Sequence, residues 1–204
     1  GGIMVEHGVH FFDIINALGR QHYTKIYGCW DNRNEYQRDR VSAMVLYDQG
    51  LIASYYHAFS GPGFFEQTTI NLAYDLAQVQ IEGWIPMKGT LKIMVNAQNR
   101  ERLKELPGWS ETSAAIFGDV TDHSRPEGWG VAAEDSSGSR DLVYTAGRAY
   151  KADTMVSGTF EIPSTKGDVY GKSVQLLVLD LIEKIENPEH QLAVTLEDAV
   201  EALQ

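Results

Sequence analysis

Between residues 41 and 95, apolar and polar side chains alternate through one short segment after another, and the gaps between segments are short. Residues 41–47 and 51–59 are rich in β-branched and aromatic side chains, and Asp48-Gln49-Gly50 between them has the composition of a tight hairpin. Residues 68–74, 77–85 and 90–95 continue the series, with Val79 and Ile81 set against Gln78, Gln80 and Glu82. A parallel neighbour needs a crossover of about a dozen residues or more, and no gap here offers one. The middle of the chain must therefore form a mostly antiparallel sheet, which the rest extends or covers.

The flanks supply the cover. Residues 4–18 place Met4, Val5, Val9, Phe11, Phe12, Ile14, Ile15 and Leu18 on more than one helical face, which predicts a largely buried helix stopped by Gly19. A strand is expected at 23–30, a polar exposed connection at 31–38, and further strands at 141–150 and 154–162. Residues 97–139 read as a short helix (99–106) within a Gly-, Pro- and Ser-rich excursion over the sheet. Thr165 and Asp168 have capping-box spacing for a helix from 166 to 186 that ends before Pro188. Its Tyr170, Val174, Leu177, Val178, Leu181, Ile182 and Ile185 share one face, expected to lie against the sheet. Thr195 and Asp198 repeat the cap for a last helix that the chain end interrupts. The expected fold is α+β, one domain over 1–204, an open and mostly antiparallel sheet with the first and the long late helix packed on one face.

Composition narrows the function. Lys and Arg number 17 against 28 Asp and Glu, a net charge of -11, which repels phosphate backbones and anionic lipid surfaces, so neither nucleic acid nor membrane is an expected partner. A single cysteine, Cys29, and the lack of a signal-peptide pattern or long apolar run predict a cytoplasmic setting. No Gly-x-Ser-x-Gly elbow or P-loop is present. Gly61-Pro62-Gly63 and Gly128-Trp129-Gly130 lack the third glycine and the strand-to-helix setting of a dinucleotide site, and read as turns.

Chemistry concentrates in the first helix. Four residues apart, Glu6 and His10 fall on one face about 6 Å apart along a helix axis, where a carboxylate can orient an imidazole for proton transfer near neutral pH. Gly8 between them costs about 1 kcal/mol of helix propensity, and admits close approach of a ligand or of another part of the chain. Alone, such a pair is more often a structural hydrogen bond. His7 adds no metal site, because it points about 100° away from Glu6. Tyr55, Tyr56, His57, Phe59, Phe64 and Phe65 straddle the Ser60-Gly61-Pro62-Gly63 turn, as a sugar-stacking edge or, more commonly, ordinary sheet core. His22, His123 and His190 sit among polar residues and read as surface positions.

Gly1-Gly2, Glu6, Gly8, His10, Asp13 and Leu18-Gly19 together resemble the family named after glucose-fructose oxidoreductase, inositol dehydrogenase and MocA. There the segment runs Gly-Gly-Gly, a short apolar stretch, Asp-x-Gly-x-His, then x-x-Asp. The resemblance extends through the strand-rich middle and the long helix to Val194-Thr195-Leu196-Glu197-Asp198-Ala199, similar to the family's Thr-x-Glu-Asp-Gly/Ala ending. It implies that these residues are the C-terminal substrate-binding and oligomerisation domain of a dehydrogenase whose N-terminal Rossmann domain, absent from this sequence, binds NAD or NADP and supplies a lysine from a Glu-Lys-Pro motif. The isolated chain is then expected to be inactive and to bind no cofactor itself. His10 matches the catalytic histidine that exchanges a proton with the substrate hydroxyl while hydride moves at the same carbon. Glu6 matches the family's aspartate with one methylene more, and Gly8 and Asp13 accompany them at the substrate, a sugar, inositol or related polyol. The family also implies a second copy packed on the sheet face, with Tyr55, Phe59, Ile70, Leu72 and Ile81 as its apolar surface. A nicotinamide-dependent glycosidase of the same architecture and a non-catalytic oligomerisation or ligand-binding module are the alternatives.

Overall fold

A computed structural model describes residues 2–58, 68–116, 142–145 and 147–203. The fold is α+β, with antiparallel strands in open sheets. It divides into two compact units, residues 1–65 with 176–204, and residues 66–175.

In the first unit a wide turn, Met4–Gly8, leads into α1, Val9–Gly19; the Val9 amide reaches back five residues to the Met4 carbonyl. Three antiparallel strands follow in sequence order: β1 (Tyr23–Asn34), β2 (Gln37–Tyr47) and β3 (Ile52–Ala58). The β2–β3 hairpin turns where Asp48-Gln49-Gly50 predicts it, with Gly50 at φ +92°, a conformation that favours glycine. The connection expected at 31–38 is instead the tip of a second hairpin, β1 running to Asn34 and β2 returning from Gln37. Asp31, Asn32, Glu35 and Tyr36 at this tip are exposed, and no apolar alternation marks it in the sequence. Three register shifts interrupt this ribbon, the last between Asn32 and Asn34. At the first, Thr24 is skipped and its hydroxyl donates to the Leu46 carbonyl at 3.0 Å. At the second, pairing steps from Asp31↔Arg40 to Asn32↔Arg38, leaving Asp39 as an extra residue only 3% exposed.

Ala43, Val45, Tyr47 and Tyr55 form the core of this unit, and Met4, Phe11, Phe12 and Ile15 pack on it. The first helix is thus pinned along one stripe rather than largely buried: Val5 and Leu18 keep 59% and 56% of their surface. Gly19 is not the stop. Arg20 takes the left-handed position, φ 49°, while a Cβ on Gly19 would come within 2.8 Å of Leu51 Cδ2, so the glycine admits close packing. α4 (Leu196–Leu203) packs against α1, capped by Thr195 and Asp198 as their spacing predicts: the Asp198 amide donates to Thr195 Oγ1 at 3.1 Å and the Thr195 amide to Asp198 Oδ2 at 2.7 Å.

The second unit contains β4 (Thr69–Tyr74), β5 (Ala77–Glu82), β6 (Lys88–Val95), α2 (Ala97–Leu103), β7 (Ser110–Ile116), β8 (Leu142–Thr145), β9 (Arg148–Lys151) and β10 (Thr154–Glu161). Five of these strands form an antiparallel sheet in the order β4-β5-β6-β10-β7. The register aligns Asn71, Gln80, Thr90 and Thr159 in one row on one face, and Leu72, Val79 and Leu91 in a row on the other. The apolar side carries the core of Leu91, Val95, Val156 and, from α2, Leu103. Asn96 caps α2, accepting the Asn99 amide at 2.9 Å. β7 falls within the expected excursion; it is an edge strand of mostly exposed residues and therefore lacks the alternation that marks its neighbours. The strand expected at 141–150 is a hairpin, β8 and β9, with Gly147 at φ +73°. Trp109 lies across Gly158 of β10, where a Cβ would stand 2.6 Å from Trp109 Cζ2 and closer still to Cη2.

α3 (Lys166–Glu186) begins in the second unit and ends in the first, and its capping box is formed: the Asp168 amide donates to Thr165 Oγ1 at 3.1 Å and the Thr165 hydroxyl to Asp168 Oδ2 at 2.7 Å. Its apolar stripe has the spacing of a packing face, yet Tyr170, Val174, Leu177, Val178, Leu181, Ile182 and Ile185 keep between 43% and 80% of their surface. Spacing fixes which residues share a face, not what stands opposite.

Candidate functional site

Glu6 lies in the wide turn and His10 in the first turn of α1, both with exposed side chains. Within the wide turn the hydrogen-bond register is five residues, not four, so the two are offset from the stacking an unbroken α-helix would give them. Gly8 is buried, and a Cβ there would stand 2.9 Å from Met4 Sδ; its missing side chain makes room for a thioether of the same segment. Asp13, half-buried, follows His10 by three residues on α1.

The helix that carries these groups is fixed from below. Phe12 meets Tyr55 edge-on, with ring centroids 4.5 Å apart. Tyr47 donates its hydroxyl hydrogen to Asn16 Oδ1 at 2.8 Å, and its oxygen lies 3.5 Å from the Tyr55 hydroxyl. Burial, then the Tyr47 hydroxyl, push the Tyr55 phenol above its ordinary pKa, so it remains a neutral donor. One residue pair nearer the wide turn, Phe11 and His57 stand with ring centroids 5.2 Å apart. Half-burial lowers the His57 pKa, and His7 lowers it further by like-charge repulsion.

The aromatic stretch at 55–65 is thus split by strand alternation. Tyr55 belongs to the core, Tyr56 points to the opposite face at 69% exposure, and His57 returns to the helix side. Phe59, Phe64, Phe65 and the Ser60-Gly61-Pro62-Gly63 turn lie outside the described residues, as do Gly1, His123 and Gly128-Trp129-Gly130. His57, read from the sequence as one of the aromatic stretch, is the residue of it that meets Phe11 of the helix; the Ala53, Tyr55, His57 alternation was the available signal.

His22 is a surface residue, its side chain 85% exposed and 3.7 Å from Glu201 of α4. His190 is not. Its side chain is 21% exposed, with Nε2 2.7 Å from Asp180 Oδ1 and Nδ1 3.3 Å from Glu183 Oε1. His190 and the Ala193 amide, which donates to Asp180 Oδ2 at 2.9 Å, hold the Asp180 carboxyl below the usual range. The cluster closes because the chain turns back after Pro188, where Lys184 Nζ reaches the Pro188 and His190 carbonyls; side-chain spacing does not reveal such a return. The two carboxylates face opposite ring nitrogens and share no point for an ion, and among the described residues no three His, Cys, Asp or Glu side chains could hold a metal.

A second concavity, about 870 Å³, lies in the second unit between α2, β7 and β10, lined by Trp109, Arg100, Glu111, Lys104 and Asp153 among others. Arg100 donates to both Glu111 oxygens, at 3.1 and 2.5 Å, and Lys104 to Glu101 at 2.6 Å, so its charges are largely paired with one another.

A nicotinamide cofactor would need open amides at a helix N-terminus and glycines for close approach of its pyrophosphate. Three of the described helices do not fit one: Asp168 and Asp198 already place carboxylates at the starts of α3 and α4, and Asn96 occupies that of α2. Among the described residues no helix is long and apolar enough to cross a membrane.

The sequence matches no known family, and it matches no curated protein. Among solved structures, its fold is similar to that of an NAD-binding protein from Listeria innocua, with a TM-score of 0.52 and 12% identity. The match covers 100% of this chain and 47% of the other, so the chain spans about half the length of that protein. At this identity the likeness is one of fold.

Proposed function

We propose that this chain is the substrate-facing half of a nicotinamide-dependent oxidoreductase acting on a sugar, inositol or related polyol, with His10 exchanging a proton with the substrate hydroxyl and Glu6 orienting it. The observation that carries this is the first helix: its apolar stripe is held to the sheet through Phe11, Phe12 and Asn16 while His10 and Glu6 stay exposed beside it. A fixed imidazole open to solvent suits proton transfer to an arriving hydroxyl. The fold shared with roughly half of an NAD-binding protein supports the reading, with the dinucleotide held by the other half of the parent.

His10→Asn in the intact parent tests this. It should lower kcat by about 10²–10⁴-fold with the fold unchanged by circular dichroism; full turnover would end the assignment. Net reduction of NAD or NADP, followed at 340 nm, separates a dehydrogenase from a glycosidase that regenerates its cofactor.

Tyr55, expected on the surface that a second copy covers, is instead buried beneath α1, and Ile70, Leu72 and Ile81 belong to the second unit. The same reading then includes a second copy against the other face of the sheet of the first unit. Its face away from α1 leaves Tyr27, Met44, Ile52 and Tyr56 between 41% and 69% exposed. Sedimentation at increasing concentration should show a dimer or larger species, with Tyr56→Lys shifting it toward monomer.

A further inference from the structure

Three observations converge on the sheet beneath the first helix. His57 lies on the same face of β3 as Ala53 and the buried Tyr55, and its ring meets Phe11 at 5.2 Å. His7 and Phe11 are four residues apart across the end of the wide turn, and His7 is near enough to His57 to repel its protonated form. His7 also precedes His10 by three residues, from within the wide turn. His57 and His7 thus form a row between the sheet and the helix, and His10 follows on the exposed first turn of α1.

The surroundings specify what such a row can read. Neither the segment 2–19 nor β3 contains a lysine or arginine. The nearest guanidinium along the ladder, Arg40 opposite Ala58, is paired with Asp31. His57 itself is half-buried and favours its neutral form, which offers one ring nitrogen as donor and the other as acceptor. Among these described residues a phosphate or carboxylate would meet no fixed cation, whereas a hydroxyl can both donate to and accept from neutral imidazole.

We infer that His57 is a second substrate-contacting imidazole of the His10 site, binding a hydroxyl of an uncharged polyol from the sheet side. This rests on the proposed role of His10 and deepens it: His10 exchanges the proton, His57 selects and positions. Among the described residues the groups facing His57 are His7 and Phe11 from the helix and Val41 opposite it on β2, so burial lowers its titration first and His7 adds to that through its charge.

Two measurements test this. In this chain, ¹⁵N NMR of the histidine rings should show His57 titrating below the ordinary histidine value, and His7→Gln should move that titration upward. No movement would mean that the row does not exist and would overturn the inference. In the intact parent, with myo-inositol, glucose, gluconate and glucose 6-phosphate as probes, an uncharged member should be preferred. His57→Phe, which keeps a ring against Phe11, should raise its KM tenfold or more with kcat nearly unchanged, and His57→Gln should recover part of the loss. The fall in kcat/KM on the acid side that His57 imposes should disappear in both variants. Preference for an anionic probe, or an unchanged KM in His57→Phe, would overturn the inference while leaving the role of His10 standing; retained turnover in His10→Asn would remove that role instead.

Discussion

Gly158→Ala tests the packing of the second unit. Gly158 lies on β10 with Leu91 of β6 on one side and Glu111 of β7 on the other, and Trp109 crosses above it. An added Cβ would sit 2.6 Å from Trp109 Cζ2 and 2.7 Å from the Ser110 carbonyl oxygen, short of ordinary 3.4 Å contact by 0.8 and 0.7 Å. The indole can swing aside, but the carbonyl belongs to a strand paired through Ser110↔Thr159 and can yield only by disturbing that ladder. Overpacking of this kind costs about 1–3 kcal/mol, which at a slope of about 1–3 kcal/mol per molar urea lowers the unfolding midpoint by roughly 1 M. Urea titration followed by far-ultraviolet circular dichroism measures it, and the Trp109 indole resonance should shift in the folded variant. Gly171→Ala supplies the control: on exposed α3, its Cβ meets nothing within 4 Å, and it should raise stability by up to about 1 kcal/mol through helix propensity. If Gly158→Ala unfolds within 0.5 kcal/mol of the parent, taken as roughly the limit of ordinary surface substitutions, the close approach is refuted.

Tyr47→Phe should cost about 1 kcal/mol by removing the hydrogen bond to Asn16, and hydrogen exchange of the α1 amides should quicken; unchanged exchange would show that Tyr47 does not hold the helix. Acid should loosen the segment after α3. The Asp180 carboxyl is depressed by His190 and the Ala193 amide, so its contribution is complete above its unfolded pKa near 4 and is lost as pH falls through the lower folded value. The Ala193 amide resonance should follow that acid transition and lose it in Asp180→Asn, whereas an identical pH profile in the variant would exclude the contact.

Local chemistry was legible where sequence alone determines it. The Asp48-Gln49-Gly50 turn, the Asn71–Ile81 alternation and both Thr-x-x-Asp caps occur as their residues predict. What escaped depends on tertiary partners or on weak patterns. Edge strand β7 is mostly exposed, and neither it nor the β1–β2 tip carries apolar alternation. His190 looked like a surface residue because Asp180, its partner, becomes adjacent only after the chain reverses beyond Pro188. At the candidate site the sequence identified the helix and its polar residues, but not the floor: His57 was read as one of a run of aromatics, and only pairing with β2 and contact with Phe11 separate it from Tyr56.

The wide turn at Met4–Gly8 acts as a phase shifter. A π turn accommodates one residue more than an α turn, and one residue is about 100° of rotation on a helix. Everything before it is therefore rotated relative to α1, while Val9 onward keeps the direction set by Phe11 and Phe12 on the sheet. The chain can thus fix the aim of His10 through core packing and adjust the aim of Glu6 separately. Insertion or deletion of a single residue there would redirect the carboxylate and also move Met4, which packs on the sheet core.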